Sequence, residues 1–66
     1  MFIGQKVKVE NSPWTDANGE TGKIKSIIHT SNEGDIALVT FDNEEMNKIS
    51  KDIGGFTFKN KELKAA

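Results

Sequence analysis

Few residues in this chain are equipped for covalent chemistry. There is one histidine, His29, and no cysteine. Ser26, Thr30 and Ser31 lie near His29 in the sequence, but a nucleophile needs both a base and a group that orients the base. Sequence neighbours of this kind arise by chance, and His29 reads as a solvated residue at the end of a strand. Asp42, Glu44 and Glu45 form an acidic run able to attract a hard cation. The run lacks the ligand spacing and central glycine of a calcium loop, so it reads as a solvated acidic loop. Disulfides and thiolate metal sites are excluded without cysteine, and one imidazole does not make a metal cage. The expectation is no catalytic residue, no metal and no cofactor: a chain that binds and is not an enzyme.

The lysines are the other chemical resource. All nine basic residues are lysine, and they face ten acids for a formal charge of −1. Arginine is the favoured residue for bidentate phosphate and base contacts, so its absence counts against sequence-specific nucleic-acid reading. The charges are segregated. Residues 29–46 carry five acids and no lysine, whereas residues 47–66 carry five lysines and two acids. Lys6 and Lys8 alternate with Val7 and Val9, and Lys23 and Lys25 flank Ile24. Lysines on a wet strand face serve solubility and edge protection. Gathered on one face, they steer association with an acidic partner. As point charges they also suit phosphate-backbone contacts that read no sequence. Of the aromatics, Phe41, Phe56 and Phe58 fall on core positions, so only Phe2 and Trp14 are free to be exposed. Trp14, beside Pro13 in a polar loop, fits a partner anchor. It fits equally a lid over Val9, Ile24 and Phe58.

Positioning these side chains requires short strands. "KVKVE" has the period of a half-buried strand. "NSPWTDANGE" is a loop, broken by Pro13, Asp16, Asn18 and Gly19. "TGKIKSIIHT" resumes the alternation with Ile24 inward. Ser26 then falls on the Ile24 phase and Ile27 does not, which predicts a bulge or strong twist near Ser26. "SNEG" is a turn. "DIALVTF" is apolar on both faces, the mark of a central or covered strand. In 44–53, Met46, Ile49 and Ile53 at i, i+3 and i+7 spell one or two helical turns, with an irregular loop as the alternative. "GGFTF" reads as a strand with Phe56 and Phe58 inward, "KNKEL" as a tight turn, and "LKAA" as a last short strand. Five short strands with glycine turns suggest a small barrel. Asn18-Gly19 suits a turn needing positive φ. Gly22 suits a corner that needs either positive φ or close backbone approach.

"VKV", "GETGKIKSI" and "ALVTFD" together resemble the KOW motif of SH3-like barrels, found in ribosomal proteins and NusG-type transcription elongation factors. The matching positions are Val7, Val9, Gly19, Gly22, Ile24 and Ile27. "VTFD" followed by "GGFTFKNKEL" is similar to other SH3-like barrels, among them the small stromal subunit IV of photosystem I. The chain departs from the KOW pattern in having Pro13-Trp14 where another glycine precedes Gly19, and 43–54 is an added segment. The resemblance implies an all-β fold, a five-stranded SH3-like barrel. It further implies that the first strand lies beside the last and beside part of the second, so that Lys6, Lys8, Lys23, Lys25 and Lys64 crowd one outer face. The loop holding Pro13 and Trp14 would border the usual ligand groove.

At 66 residues the chain is expected to be one domain, and the initial Met suggests a whole small protein. A domain of this size buries only about 60% of its unfolded surface, so stability rests on a small packed core. No apolar run approaches the ~18 residues of a membrane span, so no membrane insertion is expected. The absence of cysteine fits a cytoplasmic setting. The expected function is docking on an acidic protein surface or a nucleoprotein complex. A KOW-like nucleic-acid binder and a structural subunit packing through its apolar 46–53 segment are the alternatives.

Overall fold

The alternating segments form one antiparallel sheet. The computed structural model describes residues 1–66. In chain order it contains β1 (Lys6–Val9), a 3₁₀ turn (Thr15–Ala17), β2 (Thr21–Thr30), β3 (Gly34–Phe41) and α1 (Glu44–Asp52). Then come β4 (Thr57–Lys59), a second 3₁₀ turn (Asn60–Glu62) and β5 (Leu63–Ala65). The strand order is β4-β3-β2-β1-β5. The two outer strands, β4 and β5, are joined directly by the second 3₁₀ turn, so the sheet curls around its contents. The inner faces supply Val7, Val9, Ile24, Ala37, Val39, Phe41 and Phe58 to a single buried cluster, completed by Ala17, Met46 and Phe56. This is the all-β, five-stranded architecture expected, with one short helix.

The bulge falls where the phase break predicts it. Ile24 stands opposite Val39 and Ser26 opposite Leu38, which leaves Lys25 as the extra residue. The slip returns Ile27 to the inner face, opposite Ala37, where it packs against the core. Gly22 is a close-approach glycine. Its φ is not positive, but a Cβ there would lie 2.3 Å from the Thr40 carbonyl oxygen and 2.9 Å from Phe41 Cα. The positive φ belongs to Gly19, at +88°. The Glu20 N–H donates to the Ala17 carbonyl across it at 3.0 Å. Asn18 has φ −61° and ψ 131°, so the turn is type II, with glycine at its third position.

The 44–53 segment is helical, yet its apolar residues are used differently from what their spacing suggests. Only Met46 enters the core, while Ile49 and Ile53 remain exposed. Polar side chains tie α1 to the sheet instead. Asn47 Nδ2 donates to the Phe41 carbonyl and Asn47 Oδ1 accepts from the Phe41 N–H, both at 2.8 Å. The amide thus stands in for a strand beyond the end of β4. Ser50 Oγ accepts from the Phe56 N–H at 3.1 Å. Asn43 caps the helix by accepting from the Glu45 N–H, a role that relieves unpaired first-turn donors. No helix is long and apolar enough to cross a membrane.

Candidate functional site

Strand register decides which lysines meet. β1 pairs with β2 so that Lys6 stands opposite Lys23 and Lys8 opposite Thr21. β1 pairs with β5 so that Lys8 also stands opposite Lys64. Side chains alternate across a strand, and Val7, Val9 and Ile24 take the inner positions. Lys6, Lys8, Lys23 and Lys64 therefore project from the outer face in two adjacent rows. Neighbouring strands lie about 4.8 Å apart, and residues i and i+2 about 6.6 Å apart. Like charges directly opposed in a sheet are destabilising. This chain holds two such pairs side by side, and no lysine in it forms an ion pair: the one close contact between a basic and an acidic side chain joins His29 Nδ1 to Asp35 Oδ1 at 2.6 Å. Two carboxylates lie near the rows: Glu10 follows Lys8 by two residues, and Asp42 accepts from the Thr21 hydroxyl at 2.8 Å. Beside it, Lys6, Lys23, Thr21, Gly22, Asp42 and Ala66 line a shallow cleft.

Lys25 separates from this group. As the bulge residue it leaves the regular pleat and borders a second cleft, between β3 and α1, together with Lys51, Asn47 and Ser50. Its alternation with Lys23 concealed this, because one inserted residue breaks the phase on which alternation depends.

Pro13 and Trp14 lie elsewhere, in a braced loop. The Asn18 side chain holds both backbone groups of Ser12, accepting from its N–H at 2.8 Å and donating to its carbonyl at 3.1 Å. Ser12 Oγ in turn accepts from the Trp14 N–H. The Trp14 ring meets Phe56 edge-on, with centroids 5.1 Å apart. Its Nε1–H donates to the Thr57 carbonyl at 3.1 Å. The residue is nevertheless 41% exposed. Trp14 therefore packs against Phe56 while keeping part of its surface open to solvent. It attaches at β4, three strands from β1 in the sheet order.

His29 and Asp35 form an exposed cross-strand pair. Ser26, three strand positions from His29, is paired with Leu38, and the Thr30 hydroxyl donates to the Gly34 carbonyl at 2.6 Å. No group of three or more His, Asp or Glu residues is placed to hold a metal ion. Sequence reading missed the exposed turn at Phe2–Gln5, closed by the Gln5 N–H donating to the Phe2 carbonyl at 3.1 Å, whose signal was Gly4. Its Gly4 N–H donates to the Ile24 carbonyl at 2.7 Å. Comparison with protein-family models, with curated proteins and with solved structures returns no match.

Proposed function

We propose that this chain is a non-catalytic binding module of the SH3-like barrel type, docking on an acidic protein surface of a larger assembly. One observation carries the reading: Lys6, Lys8, Lys23 and Lys64 occupy two adjacent cross-strand rows without an ion pair. Burying or neutralising such a patch against carboxylates relieves its internal repulsion, so a partner gains both attraction and the removal of a cost. Trp14 acts mainly as a packing residue in this reading, with one face left free beside Pro13. A cytoplasmic location belongs to the same proposal and is compatible with the cysteine-free composition.

KOW-like binding of nucleic acid is the second reading. The lysine spacing favours it, since point charges on a wet sheet face suit phosphate contacts that read no sequence. Against it stand the absence of arginine and of any aromatic in the two rows. Retention on immobilised polyglutamate and on immobilised duplex DNA, across a salt gradient, separates the two readings. Polyglutamate is expected to hold the protein at low salt and release it as salt rises. A variant carrying Lys6→Gln and Lys23→Gln is expected to elute earlier while remaining folded. Equal elution of variant and wild type from both matrices would reduce these lysines to solubilising residues.

A further inference from the structure

A second surface, independent of the lysine rows, lies on the far half of β2. β2 has ten residues, but its ladder with β1 covers only Thr21–Lys23. The N-terminal turn extends that cover by one position: Gly4 N–H donates to the Ile24 carbonyl and Ile24 N–H donates to the Gln5 carbonyl. Beyond Ile24 no strand lies on that side. Thr21 bonds towards β3 through the Asp42 N–H, while Ile24 bonds towards β1. After the bulge, Ser26, Ile28 and Thr30 turn their backbone groups to β3, so those of Ile27 and His29 point outward from the sheet. The open stretch runs from Lys25 to Ser31, where the hairpin turn begins. It carries no proline and no acidic residue. Exposed apolar side chains border it, with Ile28 at 43%, Phe2 at 63% and Ile3 at 66%. Past the bulge lysine, from Ser26 on, an uncovered edge of this make-up is a template for strand pairing.

We propose that this edge pairs antiparallel with the same edge of a second copy of the chain, about a two-fold axis at Ile28. The window itself selects that register. It is bounded by the Gly4 bond at Ile24 and by the turn at Ser31, and its midpoint is residue 28. The alignment sets Ile27 against His29, so that their outward N–H and carbonyl groups exchange bonds, and sets Ile28 against Ile28 at the axis. Ser26 then faces Thr30, a hydroxyl against a hydroxyl. Lys25 meets Ser31 of the opposite hairpin, which carries Glu33 two residues on. No like charges are opposed, in contrast to the lysine rows, and the hairpin tip comes to rest over the turn bearing Phe2 and Ile3. An isologous contact of this kind closes on itself and does not propagate into fibres. It joins four strands of two copies into one continuous sheet, in the order β3-β2-β2-β3.

The absence of cysteine makes the test direct. Ile28 paired with itself is a non-hydrogen-bonded pair, with Cα atoms about 4.5 Å apart, inside the span a disulfide requires. Under mild oxidation, Ile28→Cys is expected to form a covalent dimer at least about tenfold faster than Ile53→Cys, because only the former is held at high effective concentration. Ile53 is comparably exposed, at 48%, and lies beyond the C-terminus of α1. Sedimentation equilibrium of the wild type is expected to show a mass that rises with concentration from the 7.3 kDa monomer. Ile28→Lys, which places two cations on the axis, is expected to remain at the monomer mass. Equal cross-linking rates for the two cysteine variants, or a wild type that stays monomeric at all concentrations, would overturn the proposal. Neither result bears on the lysine rows.

Discussion

At Gly22, what matters is the absence of a Cβ. The Thr40 carbonyl and the Phe41 Cα occupy the space that any side chain would need. Both are backbone atoms of β3, the strand paired with β2, so neither can move without parting the ladder. Gly22→Val is therefore expected to lose about 2 kcal/mol or more, as overpacked cores do, read as a lower urea midpoint. An unchanged midpoint would mean that the two strands separate there freely. Trp14 presents a graded case. A fully buried aromatic replaced by alanine costs about 3–5 kcal/mol. Trp14 has 41% of its surface in water, but it holds an edge-on contact to Phe56 and a bond to the Thr57 carbonyl. The expected cost of Trp14→Ala is about 2 kcal/mol, scaled down from the buried case. The fluorescence of Trp14 should be partly, and not fully, quenched by iodide. A variant as stable as the wild type would mean that the contacts at Phe56 and Thr57 carry no load.

Among the elements, β2 shows what alternation conveys and where it stops. The phase break between Ile24 and Ile27 made a bulge legible, because only an inserted residue lets both face inward. The strand order, with β5 beside β1, came from the family resemblance and not from the period, since alternation is blind to which strands are neighbours. The four lysines of β1, β2 and β5 were legible as outward residues. Their direct opposition depends on register, which turns and bulges set. α1 was legible as helical spacing, but its inward face was not. Hydrophobic spacing nominated Met46, Ile49 and Ile53, whereas the sheet end offers unpaired backbone groups at Phe41 and Phe56 that need polar partners. Asn47 and Ser50 satisfy them, and that demand rotates Ile49 and Ile53 towards water. Asn18 does the same work for Ser12 in the first loop. Side-chain amides replacing strands leave no periodic trace, so these ties were illegible in the sequence.

For the whole molecule, a net charge near zero hides an arrangement with a measurable energetic signature. Lys8 stands directly opposite Lys64 and two residues along the strand from Lys6, which itself opposes Lys23. A chain optimised for stability alone would break up such a group, because exchanging one member for a carboxylate turns repulsion into attraction. Lys8→Glu puts a negative charge opposite Lys64 and beside Lys6. It is expected to raise stability by about 0.5–1 kcal/mol at low ionic strength, the scale of one cross-strand pair. In 1 M salt, where screening acts within about 3 Å, that gain should largely vanish. The same substitution is expected to weaken retention on polyglutamate, since it removes a cation and installs a competing anion at the centre of the rows. Thermal denaturation of wild type and variant at both ionic strengths, run beside the retention assay, reads the two effects separately. A gain in stability with lost retention is the pattern of a surface held in repulsion for the sake of a partner. A variant less stable than the wild type at low salt would show that the lysine rows carry no mutual repulsion, and their case as a docking surface would lose its physical basis.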